Sequence, residues 1–90
     1  MKIDYTAEVW KEGEQYIAHA SPLDLVSSGP TPEGAKSALK EAVPLFIETL
    51  QDMGTLSEVL SECGYREQGG AWVSPTWIGV ERQSAAIGVS

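Results

Sequence analysis

Asp4, Glu8 and Asp24 are the residues of this chain closest to a reactive carboxylate set. Converging carboxylates can hold two metal ions for phosphodiester hydrolysis. Asp4 and Glu8 stand four apart in an alternating segment, so they share one face of a strand. No further acidic residue joins them from the helical pattern that follows, and nuclease activity is not expected. His19 is the only histidine. It lacks a Cys or His neighbour at ligand spacing, which leaves a strand histidine with a structural or interface role. Cys63 precedes Gly64 at a predicted helix end. Thiolates are activated at helix N-termini, so Cys63 reads as a small buried hydrophobe. Gly69-Gly70 lacks the Lys and the Ser or Thr of a phosphate loop and reads as a turn. Nothing in these patterns calls for a catalytic residue, a metal or a cofactor.

Recognition is better represented than catalysis. Glu8, Glu12, Glu14 and Asp24 gather around one predicted hairpin. They are either a solvated acidic edge or a surface that meets Lys and Arg of a basic partner. Trp10, Trp72 and Trp77 are too many tryptophans for a domain this small to bury easily. Trp10 falls on the strand face that the predicted helix leaves open. Either it marks association or the C-terminal segment folds back over it. The residues expected to contact a partner are Glu8, Trp10, Glu12, Glu14, Asp24 and Trp77.

The elements that must position these residues follow from periodicity. Ile3–Trp10 alternates, with Tyr5, Ala7 and Val9 on one side. Gln15–Ala20 alternates again, with Tyr16, Ala18 and Ala20 together. A two-residue loop at Glu12-Gly13 sets Lys11 against Glu14 and Val9 against Tyr16, and puts all six on one face for a helix to cover. Trp10, Glu8, Ile17 and His19 then occupy the other face. Pro22 breaks the ladder, and a short third strand is expected at Leu25–Ser28.

Thr31 caps a helix that begins at Pro32, the position where a missing N–H costs nothing. Ala35, Ala38, Leu39, Ala42, Val43, Phe46, Leu50 and Met53 recur at helical spacing. Pro44 lies off that stripe, so a kink convex to solvent is expected. Gly54 ends the helix in a left-handed conformation. Thr55-Leu56-Ser57-Glu58 predicts a capping box for a second, short helix that ends at Gly64. Tyr65–Gln68 reads as a strand, and Ala71–Pro75 and Thr76–Gln83 read as extended segments. Ser84–Ser90 carries weak signals and is expected to fray.

With 90 residues and 42% hydrophobic content, the chain supports one small core and a tendency to self-associate. A formal net charge of −7 repels phosphate, so unaided binding to nucleic acid is not expected and a basic protein is the better partner. One cysteine permits no internal disulfide, and residues near Met1 do not resemble a secretion signal. No apolar run approaches the roughly 20 residues of a membrane span. The expected location is cytoplasmic.

The ordered set of strand, Glu12-Gly13 turn, strand, Ser21-Pro22-Leu23-Asp24, then Gly29, Thr31, Glu33 and Ala35 resembles the HicB-like antitoxin domain. Lys40-Glu41-Ala42 and Gly54-Thr55-Leu56 extend the likeness, which runs from about Tyr5 to Tyr65. Gly34 and Pro44 depart from it: the family usually carries a glutamate and a helix former there. The resemblance implies a degenerate ribonuclease H-like α+β fold in the order β-β-β-α-α-β. An antiparallel sheet of three to four strands would carry one long and one short helix on one face. It places the domain at residues 1–68, with 69–90 as a C-terminal extended segment of the same domain or of an oligomer interface. It also implies a partner, a HicA-type basic toxin that cleaves mRNA. A homo-oligomer, dimer or tetramer, joined through sheet edges or the open sheet face, is expected from the small core. Many members carry a C-terminal DNA-binding domain. Gly69, Gly70, Pro75, Gly79 and Gly88 leave no room here for a helix that enters a major groove. The alternative expectation is an orphan module of the same fold, an interaction or regulatory protein with no toxin.

Overall fold

A computed structural model describes residues 1–88. The elements in chain order are β1 (Lys2–Ile3), β2 (Thr6–Glu12), β3 (Gln15–Ser21), β4 (Leu25–Gly29), α1 (Pro32–Met53), α2 (Leu56–Glu62), β5 (Arg66–Gln68) and β6 (Ala71–Val73). The fold is α+β, as the sequence predicts. The strands divide into two three-stranded sheets, ordered β2-β3-β4 and β1-β6-β5. The first is antiparallel throughout. The second contains one parallel pair, β1 with β6, which the periodicity does not predict.

The alternating segment Ile3–Trp10 is therefore not one strand. Asp4 marks the division. Its N–H donates to the carbonyl of Trp72 at 3.1 Å, and its carbonyl accepts from the Tyr65 hydroxyl at 2.6 Å. Both backbone groups of Asp4 are used away from β3, so pairing with β3 begins only at Thr6. The same two bonds tie the link between β1 and β2 to Trp72 of β6 and to Tyr65. Burial pushes the Tyr65 phenol up to about 12, and its proton stays in place as a donor at any ordinary pH.

The first hairpin turns one residue later than Glu12-Gly13. Glu12 pairs with Gln15, and Gly13-Glu14 forms the loop. Gly13 takes the left-handed φ of 62° that a primed two-residue turn needs at its first position, where glycine is unstrained. Lys11 faces Tyr16 instead of Glu14, and its Nζ lies 5.9 Å from the centre of that ring. Parity is unchanged by this shift, so Ala7, Val9, Tyr16, Ala18 and Ala20 still share a face, while Tyr5 lies before β2 and packs against the core. The helix does not cover all five. Ala18 and Ala20 are fully buried, whereas Ala7 and Val9 on the outer strand are exposed.

Helix α1 follows the predicted bounds. The Thr31 hydroxyl accepts from the Gly34 N–H at 2.9 Å, and Gly54 closes the helix at φ 72°. Ala35, Leu39, Val43, Ile47 and Leu50 are its buried stripe, and Met53 is exposed. The helix continues through Pro44, which faces solvent. The first turn approaches the sheet closely because β4 ends in Gly29. A Cβ there would stand 2.8 Å from the Ala35 nitrogen and 2.9 Å from the Gly34 carbonyl carbon.

The capping box does not form. Thr55 precedes α2, but its hydroxyl makes no capping bond and is buried without a partner. Gly64 ends α2 at φ 99°, and the Tyr65 N–H returns to the Leu60 carbonyl at 3.0 Å. Leu60, Tyr65 and Trp72 complete the core begun by Ala18, Ala20, Leu23 and the α1 stripe. Trp72 ties Ala71–Val73 into the same core, across the Gly69-Gly70 turn. Ser74–Gly88 lies outside both sheets. Of the 69–90 segment, and of the tail expected to fray, residues 89 and 90 lie outside the described residues.

Candidate partner-binding face

The β2-β3-β4 sheet has α1 on one side only. The other side is built from the even positions of β2, the odd positions of β3 and Val26 and Ser28 of β4. His19 stands at its centre, opposite both Glu8 and Val26. Its Nδ1 lies 3.1 Å from Glu8 Oε1 and its Nε2 lies 2.8 Å from Asp24 Oδ1. Only the protonated ring donates from both nitrogens, so this geometry favours imidazolium. The Asp24 carboxylate, and after it Glu8, raises the His19 pKa above the ordinary 6.5 against a smaller opposing effect of burial.

Local backbone structure delivers the two carboxylates. Glu8 is the cross-strand partner of His19. Asp24 arrives from the Pro22 turn, where its N–H donates to the Ala20 carbonyl at 2.8 Å. It holds a left-handed φ of 61°, which aspartate tolerates better than most residues. Trp10 sits diagonally across the pair, with its ring centre 6.3 Å from that of His19 and the planes tilted by 53°. Trp10 is 43% exposed and Val26 54% exposed. The result is an apolar patch around a Glu8–His19–Asp24 string.

Of the residues expected to contact a partner, Glu8, Trp10 and Asp24 meet around His19. Glu12 follows on the same side of β2, exposed near the hairpin end, and Glu14 occupies the turn. Trp77 is separate. It lies on the C-terminal segment, where with Pro75 and Thr76 it faces Ser21 and Pro22 across a cavity of about 250 Å³. His19 is the member that sequence reading misses as a hub. With a Glu12-Gly13 loop, Thr6 would stand opposite His19. Moving the loop by one residue brings Glu8 there.

Asp4 belongs to the junction before β2, outside the strand that carries Glu8. Among the described residues, no group of three or more His, Cys, Asp and Glu side chains is placed to hold a metal. Cys63 ends α2, packs against the core, and has its thiol pKa raised by burial and then by Glu62. Among the described residues, no helix is long and apolar enough to cross a membrane. Comparison with known protein families, curated proteins and solved structures gives no significant match.

Proposed function

We propose that this chain is a HicB-like antitoxin that neutralises a small basic, HicA-type mRNA-cleaving toxin by direct protein contact. The observation that carries the proposal is the open sheet face: Trp10 and Val26 supply apolar area, and Glu8, Glu12 and Asp24 surround it with negative charge. Such a face complements a partner whose own surface is shaped to bind RNA phosphates, and occupying that surface denies it to RNA. The net charge of −7 favours encounter with a basic protein. The ordered motifs from Tyr5 to Tyr65 supply the family. The reading requires no catalytic residue, cofactor or DNA-binding element, and among the described residues no helix follows α2.

The test is retention on the tagged chain from its own cells, with retained proteins identified by mass. The expected result is a small basic protein whose RNA cleavage stops when the chain is added back. Recovery of the chain alone, as a stable oligomer, would instead mark it as an orphan interaction module.

A further inference from the structure

The segment after β6 carries more exposed apolar side chains than an independent tail should. Trp77 is 44% exposed, Val80 77%, Ile87 82% and Ile78 96%. None of residues 76–88 belongs to a sheet of its own chain. The strand β2 presents the matching deficit. It pairs only with β3, so its outer row of backbone groups has no strand beside it among the described residues. Val9 and Trp10 on that edge are also exposed. An unpaired edge with apolar side chains on both faces is a template for another extended segment.

The chain's own arm is kept off this edge by its register. β6 runs parallel to β1, with Lys2 opposite Ala71 and Ile3 opposite Trp72. Continued in step, that ladder puts Pro75 opposite Thr6, the first residue of β2. The Trp72 carbonyl accepts from the Asp4 N–H, so Ser74 is the next residue whose backbone faces this edge; the Asp4 carbonyl it would use accepts the Tyr65 hydroxyl, and the ladder stops before β2 begins. The chain passes the Ser21-Pro22 turn instead. An arm arriving from another molecule does not meet this obstacle, because it reaches β2 without first passing Asp4. Eight residues, 76–83, reach about 26 Å when extended, enough to run along the seven residues of β2 in another molecule.

Side-chain pattern selects the face. In an extended arm Ile78, Val80 and Arg82 share one side, and Trp77, Gly79 and Glu81 share the other. The open side of β2 offers Trp10 flanked by Glu8 and Glu12. Ile78 and Val80 fit against Trp10, and Arg82 is the one arm cation that meets these carboxylates.

We propose that residues 76–83 form an exchanged β-arm, which in a pair of copies lies along the β2 edge of the second copy, with Ile78 and Val80 against Trp10. The exchange is reciprocal, and it concerns the chain by itself, whether or not a toxin exists. The experiment uses the full chain, in wild-type form and as the double variant Ile78→Asp, Val80→Asp. Light scattering after size exclusion gives mass, and hydrogen exchange gives protection of the arm amides at two protein concentrations. The expected wild type has twice the chain mass, with arm protection that rises with concentration. The double variant is expected at the single-chain mass, with tenfold or greater loss of arm protection and an unchanged far-ultraviolet circular dichroism spectrum. A wild-type monomer with a freely exchanging arm would overturn the proposal. So would a monomer whose arm is protected at every concentration, since the arm then closes on its own molecule. An oligomer that survives in the folded double variant would place the interface elsewhere. Should the variant not fold, the concentration dependence of wild-type arm protection decides alone.

Discussion

His19 is held between two carboxylates on a partly exposed surface, and this arrangement gives its titration a defined sign. The folded-state pKa lies above the unfolded value of about 6.5, so the pairing stabilises the fold fully below that value. The contribution is lost as pH rises through the raised folded value. Because Asp24 is largely exposed, the effect is on the order of 1 kcal/mol or less. Urea unfolding of wild type and of His19→Gln, compared at pH 6 and pH 9, is expected to show a stability difference that shrinks with rising pH. A difference that grows would contradict the double-carboxylate geometry. Gly29 makes the opposite kind of demand, purely steric. In Gly29→Ala the new carbon meets backbone atoms of α1 at under 3 Å, and backbone can yield only by lifting the helix start from the sheet. A loss of about 1–3 kcal/mol in the unfolding free energy is expected, and an unchanged urea midpoint would rule out the close approach.

At the scale of elements, α1 was readable because its signals are local. Thr31, Pro32 and Gly54 each act within a turn of their own position, and the structure realises all three. The face segregation of the first hairpin was readable too, since parity survives a shift of the turn. What the sequence left unreadable depends on partners distant in the chain. The parallel contact of β1 with β6 joins residues about 70 apart, and no local spacing encodes it. The Glu8–His19 pair depended on where a Gly flanked by two glutamates turns, and either neighbour forms an acceptable loop with it. The motif Thr55–Glu58 shows the converse, a local signal that packing overrides. Since the Thr55 hydroxyl is buried without a partner, Thr55→Val removes an unpaired polar group and keeps the shape. Thermal unfolding of this variant is expected to show neutral stability or a gain of up to about 1 kcal/mol. A loss greater than that would mean the hydroxyl has a partner in solution.

At the scale of the whole molecule, a one-sided sheet leaves a decision about what covers its open face. The small core gives this face little to fold against within one chain, and the arm beyond Pro75 lies outside both sheets and exposes Trp77, Ile78, Val80 and Ile87. The proposed self-association through the arm and the proposed capture of a basic toxin draw on the same β2 strand and share Glu8 and Trp10. In these proposals the arm lies along the outer edge beside Trp10, while the toxin-binding face runs from Glu8 and Trp10 across His19 to Asp24 and Val26. Occupation of one site is expected to alter the other, since Glu8 and Trp10 are common to both.

The antitoxin reading is tested most directly by RNA cleavage. The retained basic partner would be assayed on RNA alone, with the wild-type chain, and with Glu8→Lys and Trp10→Ala chains shown to be folded by circular dichroism. The account predicts that an equimolar wild-type chain abolishes cleavage, and that each variant needs at least tenfold more chain for the same effect. Cleavage undiminished by the wild-type chain, or inhibited equally by all three, would contradict it.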